Sequence, residues 1–384
     1  MPRSDTQVTP LELFFDLVFV LALTQCTALM ADDPTWKGVA RGLLVLGVLW
    51  WAWVGYAWLT SVVNPEEGSV RLAMFAAMAG LLVAALCVPE AFDDSGLLFA
   101  CAYGLVRAAQ IVLFVVASRE DPALRQSVTG LAGGTAVGVG VLLIASFTDG
   151  ALQGGLWALA LALDMAEPYL FGSEGWKLEP SHFAERHGLI VIIALGESIV
   201  AIGAGATVGL DAGVVAAAVL GMVVAAALWW LYFDVVALVA ERRLHNADVG
   251  KEQNEIARDS YSYLHFPMIA GIVLLALGLK KTLGGTGDPL ELVPAVAALG
   301  GTALYLLAHV AFRLRNIHTL NKQRLVCAVA LVALVPVAVE VPALASLAIL
   351  AAVLVGLIVY ETLRFAEVRQ RLRTKLAAGG ATDS

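Results

Sequence analysis

The chain has 384 residues, of which 60% are hydrophobic and only 15% are charged, and its formal net charge at pH 7 is −8. A soluble domain contains about 45–50% apolar and about 25% charged residues, so this composition excludes a soluble globular protein. No basic tract with interleaved aromatic residues occurs, which argues against nucleic acid as a partner. The composition therefore predicts an all-α, polytopic membrane protein whose first partner is the lipid bilayer.

Twelve stretches of the sequence are long and apolar enough to cross about 30 Å of hydrocarbon. Most of the 24 lysines and arginines then fall on the side of the N-terminus. By the positive-inside rule, we expect both termini to lie in the cytoplasm. In chain order the predicted spans are residues 11–30, 38–63, 71–89, 96–117, 127–147, 150–167, 187–205, 212–239, 261–281, 292–313, 324–338 and 341–361.

The first predicted helix begins with two carboxylates one turn apart, Glu12 and Asp16. Thr9, Pro10 and Glu12 have the spacing of a capping box with Pro at the first helical position, so Thr9 and Glu12 are predicted to cap the helix. Asp16 lies a turn further in, where it cannot serve as a cap. We therefore expect the two carboxylates to act separately, Glu12 as a structural cap and Asp16 at a functional site.

The two halves of the chain resemble each other in sequence. The first helix aligns with the seventh without a gap, which places Glu12 opposite Glu185 and Thr24 opposite Glu197. Two further helix pairs match in the same order. We therefore predict two six-helix repeats, related by a pseudo-two-fold axis along the membrane normal, with a site between them. The predicted division is residues 1–167 for the first repeat, 168–186 for a cytoplasmic linker and the start of helix 7, 187–363 for the second repeat and 364–384 for a basic cytoplasmic tail.

Ionisable side chains inside the predicted spans are the candidates for substrate or ion binding, because a charge in hydrocarbon costs about 2.5–3.5 kcal/mol on insertion scales. Arg107 and Glu197 lie deepest, which predicts a buried arginine–carboxylate centre reached from the cytoplasm through a polar cavity. Simpler roles stay open for some candidates, since Arg186 also suits a positive-inside anchor and His265 a hydrogen-bonded packing residue. The full set of candidates is Asp16, Arg107, Glu185, Arg186, Glu197, Asp234 and His265.

The sequence contains no standard catalytic motif, so whether the protein is an enzyme stays open. Neither an HExxH pair nor a phosphate-binding GxxxxGK[ST] loop occurs. His182 and Glu185 lie on one face of a helix, and these two residues and His265 are weak candidates for metal ligands. No cofactor is predicted, and a metal site stays an alternative.

Two further patterns in the sequence are interpreted as packing features. A run of GxxxG steps in the fifth helix, made by Gly130, Gly134 and Gly138, lets membrane helices approach closely. An aromatic cluster suits an interfacial belt or a packed core better than a substrate pocket, and its members are Trp50, Trp51, Trp53, Tyr56 and Trp58.

Four blocks of sequence resemble the low-temperature-requirement A (LtrA) family of bacterial integral membrane proteins. The blocks are VTPLELFFDLVFVLALTQ in the first helix, HFAERHGLIVIIALGESIVAIG around the seventh, LYFD in the eighth and YLHFPMIAGI in the ninth. The resemblance covers nearly the whole chain and implies a multi-pass protein of the bacterial cytoplasmic membrane. The family is named for a need for the gene during growth in the cold, so the resemblance implies a phenotype and no particular chemistry.

The leading functional hypothesis is a proton- or cation-linked transporter or channel-like permease with a polar site between the two repeats. Its partners would be a small polar solute, a proton or a cation. One alternative is an intramembrane enzyme, acid–base or metal-dependent, that acts on a lipid-like substrate. Another is a membrane component without catalytic activity. The sequence does not indicate the substrate, the direction of movement or the oligomeric state.

Overall fold

The first half of the chain folds into six uninterrupted helices. The computed structural model describes residues 7–170, 175–206 and 209–366. A single 3-10 turn at Val88–Glu90 extends the third helix. The six helices are α1 (Pro10–Asp32), α2 (Trp36–Val62), α3 (Gly68–Cys87), α4 (Gly96–Ala117), α5 (Pro122–Ala145) and α6 (Gly150–Leu170).

The second half is also helical, but its helices are divided into shorter pieces. Wide π-helical turns at Ala257–Tyr263 and Val296–Gly300 join consecutive pieces. Most of the predicted basic tail at 364–384 lies outside the described residues. The pieces are α7 (Pro180–Gly205), α8 (Ala212–Phe233), α9 (Val236–His245), α10 (Lys251–Ile256), α11 (His265–Gly284), α12 (Leu292–Ala295), α13 (Gly301–Ile317), α14 (Lys322–Ala333), α15 (Val335–Ala338) and α16 (Ala343–Arg364).

The helices define a multi-pass membrane protein. Within the described residues, ten helical stretches are long and apolar enough to cross a bilayer. They are Pro10–Asp32, Trp36–Val62, Gly68–Glu90, Gly96–Ala117, Pro122–Ala145, Pro180–Gly205, Ala212–His245, Lys251–Gly284, Leu292–Ile317 and Ala343–Arg364. This agrees with the predicted class of protein, but the count is two fewer than the twelve predicted spans.

The two missing spans are the sixth and the eleventh. The sixth forms α6, whose 21 residues include the polar side chains Gln153, Asp164 and Glu167, which lower its hydropathy. The eleventh is divided between α14 and α15, because Pro336 cannot donate a backbone hydrogen bond in a continuing helix. Hydropathy alone therefore supports ten membrane helices, and the arrangement of twelve stays a prediction.

Helices α1, α7 and α11 run in the same direction and pack on one another. Glu12 contacts His182 near the start of α1 and α7, and Thr24 contacts Glu197 further along both. The two helices are therefore parallel. In the same way, His187 of α7 packs on His265 at the start of α11, and Gly205 approaches Lys280 near the other end.

Across the residues that the structure describes, interrupted spans occur only in the second half. The predicted span at 212–239 is broken after Phe233, and Asp234 lies at the break between α8 and α9. The next two spans contain the π-helical turns, and the one after that breaks at Leu334. Wide turns and broken membrane helices are frequently associated with functional sites. Apolar periodicity does not report such breaks, and the sequence-based spans missed all of them.

Candidate functional site

Glu12 forms the capping box that its spacing predicts. The Thr9 backbone N–H and hydroxyl donate to Glu12 Oε2 at 2.8 and 2.9 Å, and the Glu12 backbone N–H donates to Thr9 Oγ1 at 3.4 Å. This arrangement satisfies backbone groups that the first turn of a helix leaves open.

The second oxygen of Glu12 binds residues of α7. Glu12 Oε1 lies 2.8 Å from Nε2 of His182 and 3.3 Å from a terminal nitrogen of Arg186. All three side chains are fully buried. The predicted cap is therefore present, and the same carboxylate has a second role that the spacing does not indicate, because it also anchors α1 to α7.

Asp16 contacts the same guanidinium from one turn further along α1. Its Oδ1 lies 2.5 Å from the other terminal nitrogen of Arg186 and accepts a 2.8 Å hydrogen bond from the Trp53 indole N–H. Arg186 also donates to Thr60 of α2 at 3.2 Å. We refer to the five residues Glu12, Asp16, Trp53, His182 and Arg186 as the Arg186 cluster. Arg186 is thus no exposed anchor, and Glu12 and Asp16 act on one partner.

Glu197 lies further along the α1–α7 interface, eleven residues or roughly 16 Å beyond Arg186. Its side chain is 1% exposed, and the Thr24 hydroxyl donates to its carboxylate. The aligned residues Thr24 and Glu197 therefore contact each other directly. Beyond them, the ends of α1, α7 and α11 surround an opening of about 450 Å³. Charged residues lining this opening are Asp32, Lys280, Lys281, Asp288 and Glu291.

The sequence predicts that Arg107 and Glu197 share one buried centre, but in the structure Arg107 has other partners. It lies on α4, where its terminal nitrogen is 3.8 Å from Glu167 and 4.0 Å from Asp164, both on α6. The same nitrogen donates to Thr135 of α5 at 2.7 Å, and Tyr103 donates to Asp164 at 2.7 Å. We refer to Tyr103, Arg107, Thr135, Asp164 and Glu167 as the Arg107 cluster. Arg107 is buried, as predicted, but a position along one helix cannot tell which helices are neighbours.

The glycines of α5 make room for the two carboxylates of this cluster. A Cβ added at Gly134 would lie 2.4 Å from Glu167 Oε1, and one at Gly138 would lie 2.8 Å from Asp164 Oδ1. The GxxxG steps were predicted to bring helices together, and α5 indeed packs closely on α6. Their particular use at this position is to accommodate buried charge.

Gly134→Ala is expected to destabilise the protein by about 1–3 kcal/mol, because the added methyl group must displace the Glu167 carboxylate in a packed interface. Gly133→Ala is the matched control, since a Cβ at Gly133 meets nothing within 4 Å among the described residues. Denaturant titration in a fixed detergent measures both variants. Equal unfolding free energies for the two would contradict the assigned packing.

His265 belongs to a buried group of histidines and tyrosines. Its Nε2 lies 2.8 Å from the Tyr232 hydroxyl, and its Nδ1 lies 3.0 Å from the Ser260 carbonyl. The centroid of the His187 ring lies 5.1 Å from that of His265 and 5.2 Å from that of Tyr261. The centroids of the Tyr261 and His265 rings lie 5.3 Å apart. Both nitrogens of His265 are thus already engaged by protein groups. Over the described ranges, the side chains of His, Cys, Asp and Glu form no group of three that could hold a metal ion.

The remaining candidates are Glu185 and Asp234. Glu185 lies at the start of α7, where its carboxylate accepts a 3.1 Å hydrogen bond from the Val8 backbone. Asp234 lies at the break between α8 and α9. The structure therefore distributes the predicted residues over several places, and Asp16, Glu197 and His265 have different partners.

A further buried ion pair was missed by the sequence analysis. Arg324 donates to both carboxylate oxygens of Glu361 at 3.1 Å and also contacts His309, and the three side chains are at most 5% exposed. His309 lies inside an apolar stretch, which is the signal that could have revealed it.

These observations define a polytopic α-helical membrane protein with several buried clusters of ionisable residues. The chain belongs to the bacterial low temperature requirement A (LtrA) family, whose model matches residues 7–359. An uncharacterized protein of Rhizobium meliloti (strain 1021) is 31% identical over 309 residues, which cover 77% of this chain and 74% of the relative. No solved structure matches this chain.

Proposed function

We propose that the protein is a proton- or cation-linked transporter or channel-like permease. The observation that carries this proposal is the row of ionisable residues along the α1–α7 interface. The Arg186 cluster lies at one end, Glu197 lies between, and the charged opening at the ends of α1, α7 and α11 lies at the other. Ionisable side chains at successive depths are typical of ion and proton pathways in membranes.

The charges within this row favour exchange of a proton or a cation. The Arg186 cluster contains two carboxylates and one guanidinium, so His182 or a carboxylate must hold a proton for the cluster to be neutral. Glu197 is buried against a threonine hydroxyl, which brings no charge, and Lys280 acts on it only from a distance. A buried carboxylate without a direct ion-pair partner is stabilised when a proton or a cation neutralises it. Glu197 is therefore assigned as the central ion-binding group.

The broken helices supply elements that can rearrange around such a route. The π-helical turn Ala257–Tyr263 holds Ser260, whose carbonyl contacts His265, and Ser262, whose carbonyl accepts from Trp50. A π-helical turn departs from the hydrogen-bond pattern of an α-helix and is frequently found at functional sites. The π-helical turn and the break at Asp234 together support a model in which the interrupted helices of the second half move relative to the uninterrupted helices of the first half.

The direction of the helices supports the predicted duplication. Because α1 and α7 are parallel, an odd number of membrane crossings must lie between them, and α2–α5 give an odd number only together with a crossing by α6. Thr24 and Glu197 occupy aligned positions and touch, as expected for residues next to a two-fold axis. Both facts favour two six-helix units with a shared site at the α1–α7 contact. They also favour N- and C-termini on the same side of the membrane, which the positive-inside rule predicts to be the cytoplasmic side.

Reconstitution into liposomes tests the proposal. The wild-type protein is expected to dissipate an imposed proton or alkali-cation gradient faster than protein-free liposomes, and Glu197→Gln is expected to lower this flux at least tenfold. The substitution removes the exchangeable charge but keeps the size of the side chain. Glu66→Gln, at an exposed position between α2 and α3, is the matched control and is expected to keep the wild-type flux. Flux that Glu197→Gln leaves unchanged would contradict the assignment.

A further inference from the structure

A second place in the structure has the features of a ligand site, and it lies away from the α1–α7 row. It is a cavity of about 80 Å³ where α2, α4, α5 and α6 of the first half meet residues 254–262 of the second. We refer to it as the aromatic cavity. The residues that carry the inference are Trp51, Trp58, Phe114, Trp176, Gln110 and Glu167.

Aromatic rings form much of the wall of the aromatic cavity. Trp58 and Trp176 meet edge to face with ring centroids 5.8 Å apart, and Phe114 meets Trp176 in the same way at 4.9 Å. The Trp58 indole N–H donates to Ser262 of the π-helical turn at 3.0 Å, which fixes its orientation. The wall is therefore a connected and oriented set of rings from α2, α4 and the segment before α7, and Ser262 of the second half holds one of them.

Buried polar atoms at this cavity are left with open bonding capacity. Within the described part of the chain, no well-aligned donor reaches either carboxylate oxygen of Glu167 or the side-chain oxygen of Gln110. Glu167 and Gln110 are 2% and 1% exposed. Burying such acceptors without a partner costs about 1–3 kcal/mol each, so a structure that keeps them is suited to receive a donor.

The sign of the local charge selects a cation. Arg107 is the counter-charge for both Asp164 and Glu167, so one guanidinium serves two carboxyl groups and the Arg107 cluster has no second cation. Arg258, the other arginine of the wall, is already paired with Asp259 at 2.7 Å. An anion would meet an excess of carboxylate here, whereas a cation would meet Glu167 and the faces of the indole rings, which attract positive charge.

We propose that the aromatic cavity binds a small organic cation, an alkylammonium or quaternary ammonium compound. Its positive group lies against Glu167 and the Trp51, Trp58 and Trp176 rings, and a hydroxyl or N–H on the ligand donates to Gln110. The aromatic cluster of α2 thereby divides in two. Trp50, Trp53 and Tyr56 pack in the core, while Trp51 and Trp58 face the ligand. Binding at the aromatic cavity does not require that the protein transport a proton or a cation.

Equilibrium binding to the full-length protein in lipid nanodiscs tests the proposal. The probe is radiolabelled choline, and the unlabelled competitors are choline, its neutral isostere 3,3-dimethylbutan-1-ol and the anion 3,3-dimethylbutanoate. The three compounds have similar shape and differ in charge. Choline is expected to compete at least tenfold better than the neutral isostere, which corresponds to about 1.4 kcal/mol, and the anion is expected to compete least.

Two variants assign the binding to this cavity. Glu167→Gln is expected to abolish the preference for choline over its neutral isostere, and Trp58→Leu is expected to weaken choline binding at least fivefold. Trp36→Leu, at the exposed opposite end of α2, is the matched control and is expected to bind like the wild type. Equal competition by the three compounds would overturn the proposal, as would a choline preference that survives in both cavity variants.

Discussion

Arg186→Met is expected to lower the free energy of unfolding by about 3–5 kcal/mol, because removing one member of a buried ion pair leaves its partners charged and uncompensated. Arg186 is fully buried, and its guanidinium contacts Glu12 at 3.3 Å and Asp16 at 2.5 Å. Methionine fills part of the same volume but donates no hydrogen bond. Two carboxylates on α1 would then face α7 with only His182 as a counter-charge.

Denaturant titration in a fixed detergent measures this loss. Arg243→Met is the control, since Arg243 and its partner Glu252 are 35% and 41% exposed and such surface pairs contribute about 0–1 kcal/mol. Adding Asp16→Asn to Arg186→Met is expected to recover part of the loss, because it removes one of the unpaired charges. An Arg186→Met protein as stable as the Arg243→Met control would contradict the assigned cluster.

Glu361→Leu is expected to lower the unfolding free energy by about 3 kcal/mol, because it leaves the Arg324 guanidinium buried without its carboxylate. Arg324 binds Glu361 through two hydrogen bonds of 3.1 Å, and this geometry joins α14 to α16. His309, on the other side of the guanidinium, cannot replace the lost negative charge.

A double-mutant cycle separates this pair from general packing. Arg324→Leu combined with Glu361→Leu is expected to be closer to the wild type than Glu361→Leu alone, since well-packed apolar residues can replace a buried ion pair. The coupling free energy is expected to exceed about 1 kcal/mol. A double variant whose loss equals the sum of the two single losses would show that the pair does not act as a unit.

Composition and local spacing were sufficient to predict the class of protein and the ends of several helices. The apolar stretches gave the membrane helices, and the Thr9–Glu12 spacing gave the cap of α1. These features depend on residues close together in the chain. Contacts between helices join residues that are far apart in the chain. Glu12 and His182 are 170 residues apart, so local spacing could not predict their contact.

The candidate site was predicted by residue type but not by arrangement. The cost of burying charge correctly singled out Arg107 and Glu197, yet each proved to have other partners. Hydropathy indicates how far along a single helix a charged residue lies, whereas the choice of its ion-pair partner depends on which helices are adjacent. The π-helical turn at Ala257–Tyr263 was missed for a related reason, since its sequence is compatible with an ordinary helix and tertiary packing decides the wider turn.

The central claim is that a carboxylate at the contact of α1 with α7 carries protons or cations, and moving that carboxylate between the two helices tests it most directly. Proteoliposome flux is measured for the wild type, for Glu197→Thr and for Glu197→Thr combined with Thr24→Glu. The single variant is expected to lose at least nine-tenths of the wild-type flux. Since the two aligned side chains touch, the double variant returns the carboxylate to the same place from α1 and is expected to recover flux. A folded double variant as inactive as the single one, or a Glu197→Thr protein with wild-type flux, would contradict the claim.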